Sequence, residues 1–242
     1  MTGAKLIVGN WKMNGLMADS RERTEKLVAA VKNNQSASFH MVLCPPATMI
    51  NAVGWFLKGS TIQLGGQDCH DQPPGAFTGD IAPEMLKDLG CSHVIIGHSE
   101  RRQHHKETSA QVASKAKRAH GAGLVAIICV GELDSERSAG KADSVVTEQL
   151  KNSIPDTATP ENTVIAYEPV WAIGTGKTAS GDDIEQMHAL IRSKVGKLQI
   201  LYGGSVKPSN AKEILHTPNV DGVLVGGASL KADEFITIAA AS

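Results

Sequence analysis

Short apolar runs recur along the chain at regular intervals, and polar, amphipathic segments separate them. The runs are rich in Val and Ile and alternate little between apolar and polar positions, which is typical of strands buried on both faces of a parallel sheet. They cover Lys5–Asn10, Met41–Pro45, Thr61–Gln67, His93–Gly97, Leu124–Gly131, Thr163–Glu168, Leu198–Tyr202 and Asp221–Gly226. The pattern therefore predicts eight parallel strands.

The segments between these runs carry apolar residues at helical spacing, with charged residues between them. The clearest are Asp19–Lys32, Glu107–His120, Ala142–Asn152 and Asp183–Val195. Candidate N-cap residues are Asp19, Thr108, Ser109 and Asp182. Alternating strands and helices with right-handed crossovers form either a closed barrel or an open doubly wound sheet. Eight nearly equal units of about 30 residues favour an α/β fold with one (β/α)8 barrel domain over residues 1–242.

Composition excludes several classes of protein. The 242 residues include 24 Lys and Arg and 25 Asp and Glu, a formal net charge of −1, so a large basic face for nucleic acid is not expected. The longest clean apolar run, Leu124–Val130, is far shorter than the roughly 20 residues of a membrane span. The N-terminus shows no signal-peptide pattern. We therefore expect a cytoplasmic protein with neither a membrane nor a nucleic-acid partner.

Polar and glycine residues collect directly after the predicted strands. The segments are 10–12, 45–46, 67–68, 97–100, 131–132, 168–169, 202–205 and 226–227. Because the carboxyl ends of barrel strands meet at one face, and active sites of such barrels are built there, these segments predict an active site at that face.

Five motifs in these segments occur in a fixed order over nearly the whole chain. They are NWKMNG at 10–15, GHSERR at 97–102, AYEPVWAIGTGK at 166–177, YGGSV at 202–206 and DGVLVGGASL at 221–230. On these motifs the chain resembles the triosephosphate isomerase family. The resemblance implies a TIM-barrel isomerase that interconverts dihydroxyacetone phosphate and D-glyceraldehyde 3-phosphate through an enediolate. It also implies roles in glycolysis, gluconeogenesis and the pentose shunt, with no cofactor and no metal.

Glu168 and His98 are the candidate acid–base residues. A carboxylate at a strand end is usually solvated or salt-bridged, but Pro169 keeps Glu168 extended at the mouth of its strand. The resemblance implies that Glu168 is the general base, which moves a proton between neighbouring substrate carbons. A short helix beginning at Ser99 could donate an N–H group to His98, which favours the neutral imidazole. The resemblance implies that neutral His98 polarises the substrate carbonyl.

Two residues after the first strand are expected to contact the substrate directly. The resemblance implies that Lys12 stabilises the negative charge of substrate and intermediate, and that Asn10 donates to a substrate oxygen. It also implies that Glu100 is tied to Lys12 or His98.

The substrate phosphate needs converging N–H donors. Gly226 and Gly227 offer bare backbone before a helix expected to begin at Ala228-Ser229. Ser205 and Gly174 are further candidate donors. Their joint placement after the last strands and Glu168 matches the phosphate site of such barrels.

The segment GTGKT at 174–178 looks like part of a nucleotide-binding P-loop. That motif needs a glycine five residues before its Gly-Lys pair, and Trp171 stands there instead. By resemblance, residues 171–179 form a mobile lid that excludes water.

The segment Gln67–Asp80 is unusually long for a loop after a strand, which indicates an interaction loop. The resemblance implies a homodimer in which this loop, with Thr78, enters a second subunit near its Lys12 and His98. Cys69-His70 has no partner at metal-ligand spacing, so no metal site is expected.

Two other functions are weighed and disfavoured by the sequence. Another phosphosugar barrel, such as a pentose-phosphate epimerase, would need metal ligands or paired aspartate bases at strand ends, and these are missing from the sequence. A non-catalytic phosphate-binding barrel would lack at least one of the catalytic residues implied by the resemblance, and all of them are present.

Overall fold

Eight parallel strands pair in chain order, and the last pairs with the first, so the sheet closes into a barrel. This computed structural model describes residues 4–33, 39–173 and 178–242. The strands are β1 Lys5–Asn10, β2 Phe39–Cys44, β3 Gln63–Gly66, β4 His93–Ile96, β5 Val125–Val130, β6 Thr163–Tyr167, β7 Gln199–Tyr202 and β8 Gly222–Val225. The predicted (β/α)8 barrel is confirmed, and the open sheet is excluded.

Helices alternate with the strands and cover the outside of the barrel. They are α1 Met17–Asn33, α2 Ile50–Phe56, α3 Pro83–Asp88, α4 Ser99–His104, α5 Ser109–Gly121, α6 Asp134–Ser138, α7 Ala142–Ser153, α8 Gly181–Val195, α9 Ala211–His216 and α10 Ala232–Ala240. Short 3₁₀ turns cover Ala47–Met49, Val170–Ala172 and Gly227–Leu230. Among the described residues, no helix combines the length and apolarity needed to cross a membrane.

The predicted helix starts are partly correct. Thr108 caps α5 with a capping box, as expected, and Ser109 is the first helical residue. Asp182 is not a cap, because α8 begins one residue earlier and Ser180 accepts the capping bond. Asp19 is also not a cap, because α1 begins two residues before it. In both helices the predicted cap lies within the first turn and not before it.

Two apolar cores hold the barrel together, one on each face of the sheet. Leu6 and Val8 of β1 belong to an inner cluster that consists of strand residues from most of the barrel. Ile7 lies between them and faces the opposite way, into the outer cluster shared with the helices. Because both faces are buried, the strands need apolar residues at nearly every position, which explains the continuous runs in the sequence.

Candidate active site

Five of the eight strand-end segments predicted to carry chemistry line one cavity of about 500 Å³: those after β1, β4, β6, β7 and β8. Seven predicted site residues line it: Asn10, Lys12, His98, Glu168, Ser205, Gly226 and Gly227. Its volume is in the range of small-molecule sites. Gly174, the eighth residue predicted to contact the substrate, lies outside the described residues.

Lys12 enters the cavity from the segment after β1. Its Nζ donates to Glu100 Oε1 at 2.6 Å, so the predicted tie of Glu100 is present. The Lys12 backbone has φ +52°, in the left-handed region that residues other than glycine rarely adopt. Two side chains hold this conformation: Asn10 Oδ1 accepts from the Lys12 N–H at 3.0 Å, and Gln67 Nε2 donates to the Lys12 carbonyl at 2.8 Å. Lys12 is therefore held at both ends, at its backbone and at its amine.

His98 is the second residue after β4 and is buried as the N-cap of α4. The Glu100 N–H donates to its Nδ1 at 3.2 Å, which is the helix-to-ring bond expected from the sequence. A ring nitrogen that accepts a bond carries no proton. The geometry is therefore that of the neutral ring with its proton on Nε2, and Nε2 lies 3.0 Å from Glu168 Oε1.

Glu168 follows β6 and is 1% exposed. Its Oε2 accepts from the Ser99 N–H at 3.0 Å, and its Oε1 accepts from the Ser99 hydroxyl at 3.2 Å. Burial raises the pKa of this carboxyl, but His98 and the Ser99 N–H together lower it by more. The pKa of Glu168 therefore lies below its ordinary value. The buried carboxylate is therefore ionised at neutral pH, as a general base must be.

The charge state of His98 depends on opposing neighbours. Burial and Lys12 lower the pKa of His98, whereas the Glu168 and Glu100 carboxylates raise it. With Glu168 in contact, the net direction of the pKa is upward. The bond from the Glu100 N–H opposes that direction, because it exists only while Nδ1 is unprotonated. The neutral electrophile therefore stays a prediction.

The segments after β7 and β8 complete the wall of the cavity. Gly226 and Gly227 follow β8, and the next residues form the 3₁₀ turn Gly227–Leu230, not the α-helix expected there. The Ser229 hydroxyl closes the turn by donating to the Gly226 carbonyl at 2.7 Å. The Ser205 hydroxyl donates to the Ala172 carbonyl at 3.0 Å, so it is already engaged with the segment after Glu168.

Sequence reasoning gave no role to three residues that hold the site. Ser99 binds both oxygens of Glu168, and Gln67 holds the Lys12 carbonyl. Glu132 is fully buried after β5, where its Oε1 accepts from the Tyr167 hydroxyl at 3.1 Å and from Trp171 Nε1 at 2.8 Å. All three lie within three residues of a strand end, and this position is the signal that could have found them.

The loop at 67–80 lies beside a second cavity of about 530 Å³, which it lines with α4 and α5. Thr78 is exposed near its tip, and Phe77 is 43% exposed. Within residues 4–33, 39–173 and 178–242, no group of three His, Cys, Asp or Glu side chains is arranged to hold a metal ion.

Fold and site together define a barrel enzyme with a buried carboxylate–imidazole pair at the carboxyl ends of its strands. The sequence matches the family described as triosephosphate isomerase over residues 5–242. The chain belongs to the triosephosphate isomerase family, and it is an isomerase.

Individual relatives cover almost the whole chain. The triosephosphate isomerase of Rhizobium meliloti (strain 1021) is 51% identical over 241 residues, which are 96% of this chain and 94% of that protein. That of Rhodopseudomonas palustris (strain BisA53) is 52% identical over 97% of this chain and 96% of that protein. The crystal structure of the Bartonella henselae triosephosphate isomerase superposes with a TM-score of 0.90 at 47% identity, covering 98% of each chain. The resemblance based on the five motifs is confirmed.

Proposed function

We propose that this isomerase interconverts dihydroxyacetone phosphate and D-glyceraldehyde 3-phosphate through an enediolate, in the cytoplasm, as a step of glycolysis and gluconeogenesis. The family supports the substrate class. The observation that carries the proposal is the buried contact between Glu168 Oε1 and His98 Nε2 at 3.0 Å, beside the Lys12 amine. A base, a ring donor and a fixed cation in one cavity are what proton transfer next to a carbonyl requires.

In the proposed reaction, Glu168 removes a proton from the carbon next to the substrate carbonyl and returns it to the neighbouring carbon. His98 donates from Nε2 to the substrate oxygen that gains negative charge, and shuttles a proton between the two oxygens. Since Nε2 faces Glu168 in the free protein, the carboxylate has to exchange this contact for the substrate C–H. The substrate then lies between the base and the ring.

Lys12 and Asn10 support the charge that develops on the substrate. The Lys12 amine is positioned by Glu100 before any substrate arrives, so little reorganisation accompanies charge development. Asn10 is buried, and its Oδ1 accepts from the Lys12 N–H, which leaves its amide group to donate to a substrate oxygen. Glu100 acts through Lys12 and His98.

The phosphate is proposed to bind where Gly226 and Gly227 line the same cavity as the acid–base pair. Ser205 lines the same side, and Gly174 is proposed as a further N–H donor. Residues 171–179 are proposed to close over the substrate and exclude water, which would protect the enediolate from loss of phosphate. Trp171, at the start of that segment, is anchored by its bond to Glu132.

A coupled isomerase assay on Glu168→Gln and Glu168→Asp tests the proposal. Glu168→Gln keeps the shape of the side chain but removes the base, so kcat should fall by about a thousandfold. Glu168→Asp keeps the carboxylate but withdraws it by one methylene, so its loss should be smaller but still large.

Glu234→Gln is the matched control, because Glu234 lines the same cavity but pairs with Lys231 at the surface. Its kcat should stay within about twofold of wild type. Turnover near the wild-type rate in Glu168→Gln would remove Glu168 from proton transfer.

We propose further that the protein is a homodimer in which the 67–80 loop, with Thr78, inserts near Lys12 and His98 of the partner subunit. The loop is exposed, and so are apolar side chains close to the proposed contact: Met13 is 95% exposed and Leu16 is 76% exposed. Large apolar side chains this exposed are typical of surfaces that a partner covers.

Light scattering of the purified protein tests the dimer. The expected molar mass is twice the 25.5 kDa of one chain. Thr78→Arg would place a charge in the proposed contact and should shift the mass toward the monomer. A wild-type mass equal to one chain would contradict the dimer.

A further inference from the structure

Arg23 on α1 contacts two loop segments that are far apart in the sequence. Its Nε donates to the carbonyl of Leu230 at 2.7 Å. Its guanidinium carbon lies 4.4 Å from the centre of the Trp11 ring, which is a stacking distance. Trp11 is fully buried, so the face that Arg23 covers is closed to water. One side chain thus joins the segment after β1 to the segment after β8.

Both contacts lie next to residues of the cavity. Trp11 stands between Asn10 and Lys12, and its backbone N–H donates to the Cys44 carbonyl at 3.1 Å. Leu230 is the last residue of the 3₁₀ turn that begins at Gly227. A movement of Arg23 would therefore displace both that turn and the backbone next to Lys12.

The two segments also touch each other inside the cavity wall. The Ser229 hydroxyl lies 3.4 Å from the Asn10 carbonyl, although its shorter bond, at 2.7 Å, is to Gly226. A methyl group built on Gly226 would lie 3.3 Å from Lys12 Cε. The distance between the glycine backbone and the Lys12 amine is therefore set by how closely the turn packs on the β1 segment.

The charge of Arg23 suits its position. The carbonyl of Leu230 ends the turn, and a cationic donor makes a stronger hydrogen bond to it than a neutral one would. Burial lowers the pKa of the Arg23 guanidinium, and the nearby Asp19 raises it in part, but arginine stays charged at neutral pH. A guanidinium also stacks and donates at once, which a lysine amine cannot do in the same geometry.

We propose that Arg23 is a positioning residue for the substrate phosphate. It holds the turn Gly227–Leu230 against Trp11, so that the backbone of Gly226 and Gly227 converges with Lys12 on the same anion. The inference rests on the proposed function, because it takes the glycine pair as the phosphate site.

The test compares Arg23→Met and Arg23→Lys with wild type, using inorganic phosphate as the probe. Phosphorus NMR titration gives the phosphate dissociation constant, and steady-state kinetics give kcat and KM. Arg23→Met should weaken phosphate binding by about fivefold and raise KM by a similar factor, while kcat changes by less than about twofold. Arg23→Lys keeps the charge and should recover part of the loss.

Arg21→Met is the matched control on the same helix. Arg21 is exposed and pairs with Glu25 at 2.8 Å, so its loss should leave phosphate binding and KM at wild-type values. A general loss of helix stability would lower the unfolding midpoint but would not raise KM while leaving kcat unchanged. If Arg23→Met does not fold, Arg23→Lys and Arg23→Gln carry the same comparison.

Unchanged phosphate binding in the Arg23 variants, or an equal loss in Arg21→Met, would overturn the proposal. The proposed function fails separately. If wild-type protein binds phosphate but does not isomerise triose phosphates, the isomerase substrate is wrong and the Arg23 comparison can still be read. If wild type isomerises and the Arg23 variants bind phosphate normally, only the role of Arg23 is wrong.

Discussion

The two sides of the cavity are built in different ways. The proposed reaction side consists of Lys12, His98 and Glu168, with Glu100 in contact with Lys12 and His98, and these charged or ionisable side chains contact one another in the free protein. The proposed phosphate side includes Ser205 and the two glycines Gly226 and Gly227, which can offer only backbone groups. Side chains that meet at 2.6 to 3.0 Å have fixed positions before the substrate binds. Backbone donors are fixed only as well as the turns that carry them.

This difference separates the chemical step from substrate binding. Charges on the reaction side are already oriented, which is the condition for stabilising a transition state without reorganisation. The phosphate contributes binding energy through groups remote from the reacting carbons, and such energy can be used to hold the substrate in place. Substitutions on the reaction side should therefore lower kcat, whereas those on the phosphate side should mainly raise KM.

Among substitutions of Lys12, Gly226 and Glu107, Lys12→Met is expected to have the largest effect on turnover. It removes the cation of the reaction side while keeping an unbranched side chain, and it leaves Glu100 without its partner at 2.6 Å. Loss of one oriented electrostatic group typically costs 10²- to 10³-fold in turnover, so kcat/KM should fall by about that factor. Steady-state kinetics in both directions measures it.

Lys231→Met controls for the loss of a positive charge at the same cavity. Lys231 lines the cavity too, but its side chain is 72% exposed and pairs with Glu234. Its kcat/KM should stay within a few-fold of wild type. A similar loss in both variants would mean that Lys12 acts through the general field of the cavity and not through its fixed position.

The sequence was sufficient to predict that Lys12, His98, Glu100 and Glu168 lie together, and their roles in the reaction stay predictions. Each of these side chains follows a strand, and the barrel brings strand ends together, so residue type and position carried the information. What the sequence did not indicate is how these residues are held. Ser99 binds Glu168 through its own N–H, and Lys12 adopts φ +52°. Both depend on local backbone conformation, which residue names alone do not specify.

The phosphate side was less predictable for the same physical reason. The glycine pair predicted a helix start, but the chain leaves the 3₁₀ turn at Lys231, whose backbone is extended, before α10 begins. The contacts of Arg23 were not predictable either. Its hydrogen-bond partner is 207 positions away in the chain, and nothing in the helical pattern of α1 separates Arg23 from the exposed Arg21.

Gly226→Ala should have an intermediate effect, because it couples the two sides. The added methyl group would lie 3.3 Å from Lys12 Cε and 3.9 Å from its Nζ, so the Lys12 side chain has to shift by a few tenths of an ångström. Displacing an oriented group by a fraction of an ångström should lower kcat/KM by about tenfold, with kcat contributing as well as KM. Gly121→Ala, at a glycine of α5 whose added methyl group meets no neighbour, should leave both constants unchanged.

The outcome for Gly226→Ala sharpens the comparison. A change in KM alone would mean that Gly226 serves only the phosphate and that the two sides are independent. Wild-type values of both constants would contradict the close packing of the glycine on Lys12.

Glu107→Gln should have the smallest effect on turnover, because it acts on the support of the reaction side. Glu107 Oε1 accepts from Arg101 Nε and from Lys115 Nζ, both at 2.6 Å. Arg101 lies on α4, the helix whose N-terminus carries His98 and Ser99. Gln cannot pair with two cations, so the free energy of unfolding should fall by about 2 kcal/mol while kcat changes by less than about threefold. Urea unfolding and the isomerase assay measure the two quantities.

The pH dependence identifies the carboxylate as the source of that stability. Burial raises the pKa of Glu107, but Lys115 and Arg101 together lower it by more. The pKa of Glu107 in the folded protein therefore lies below its ordinary value. The contribution is therefore complete above the pKa of the unfolded chain, about 4.3, and is lost as the pH falls through the lower folded value. The difference in unfolding free energy between wild type and Glu107→Gln should be constant from about pH 6 to about pH 8 and should become smaller in acid. A difference that stays constant in acid would show that the loss comes from packing or hydrogen bonding and not from charge.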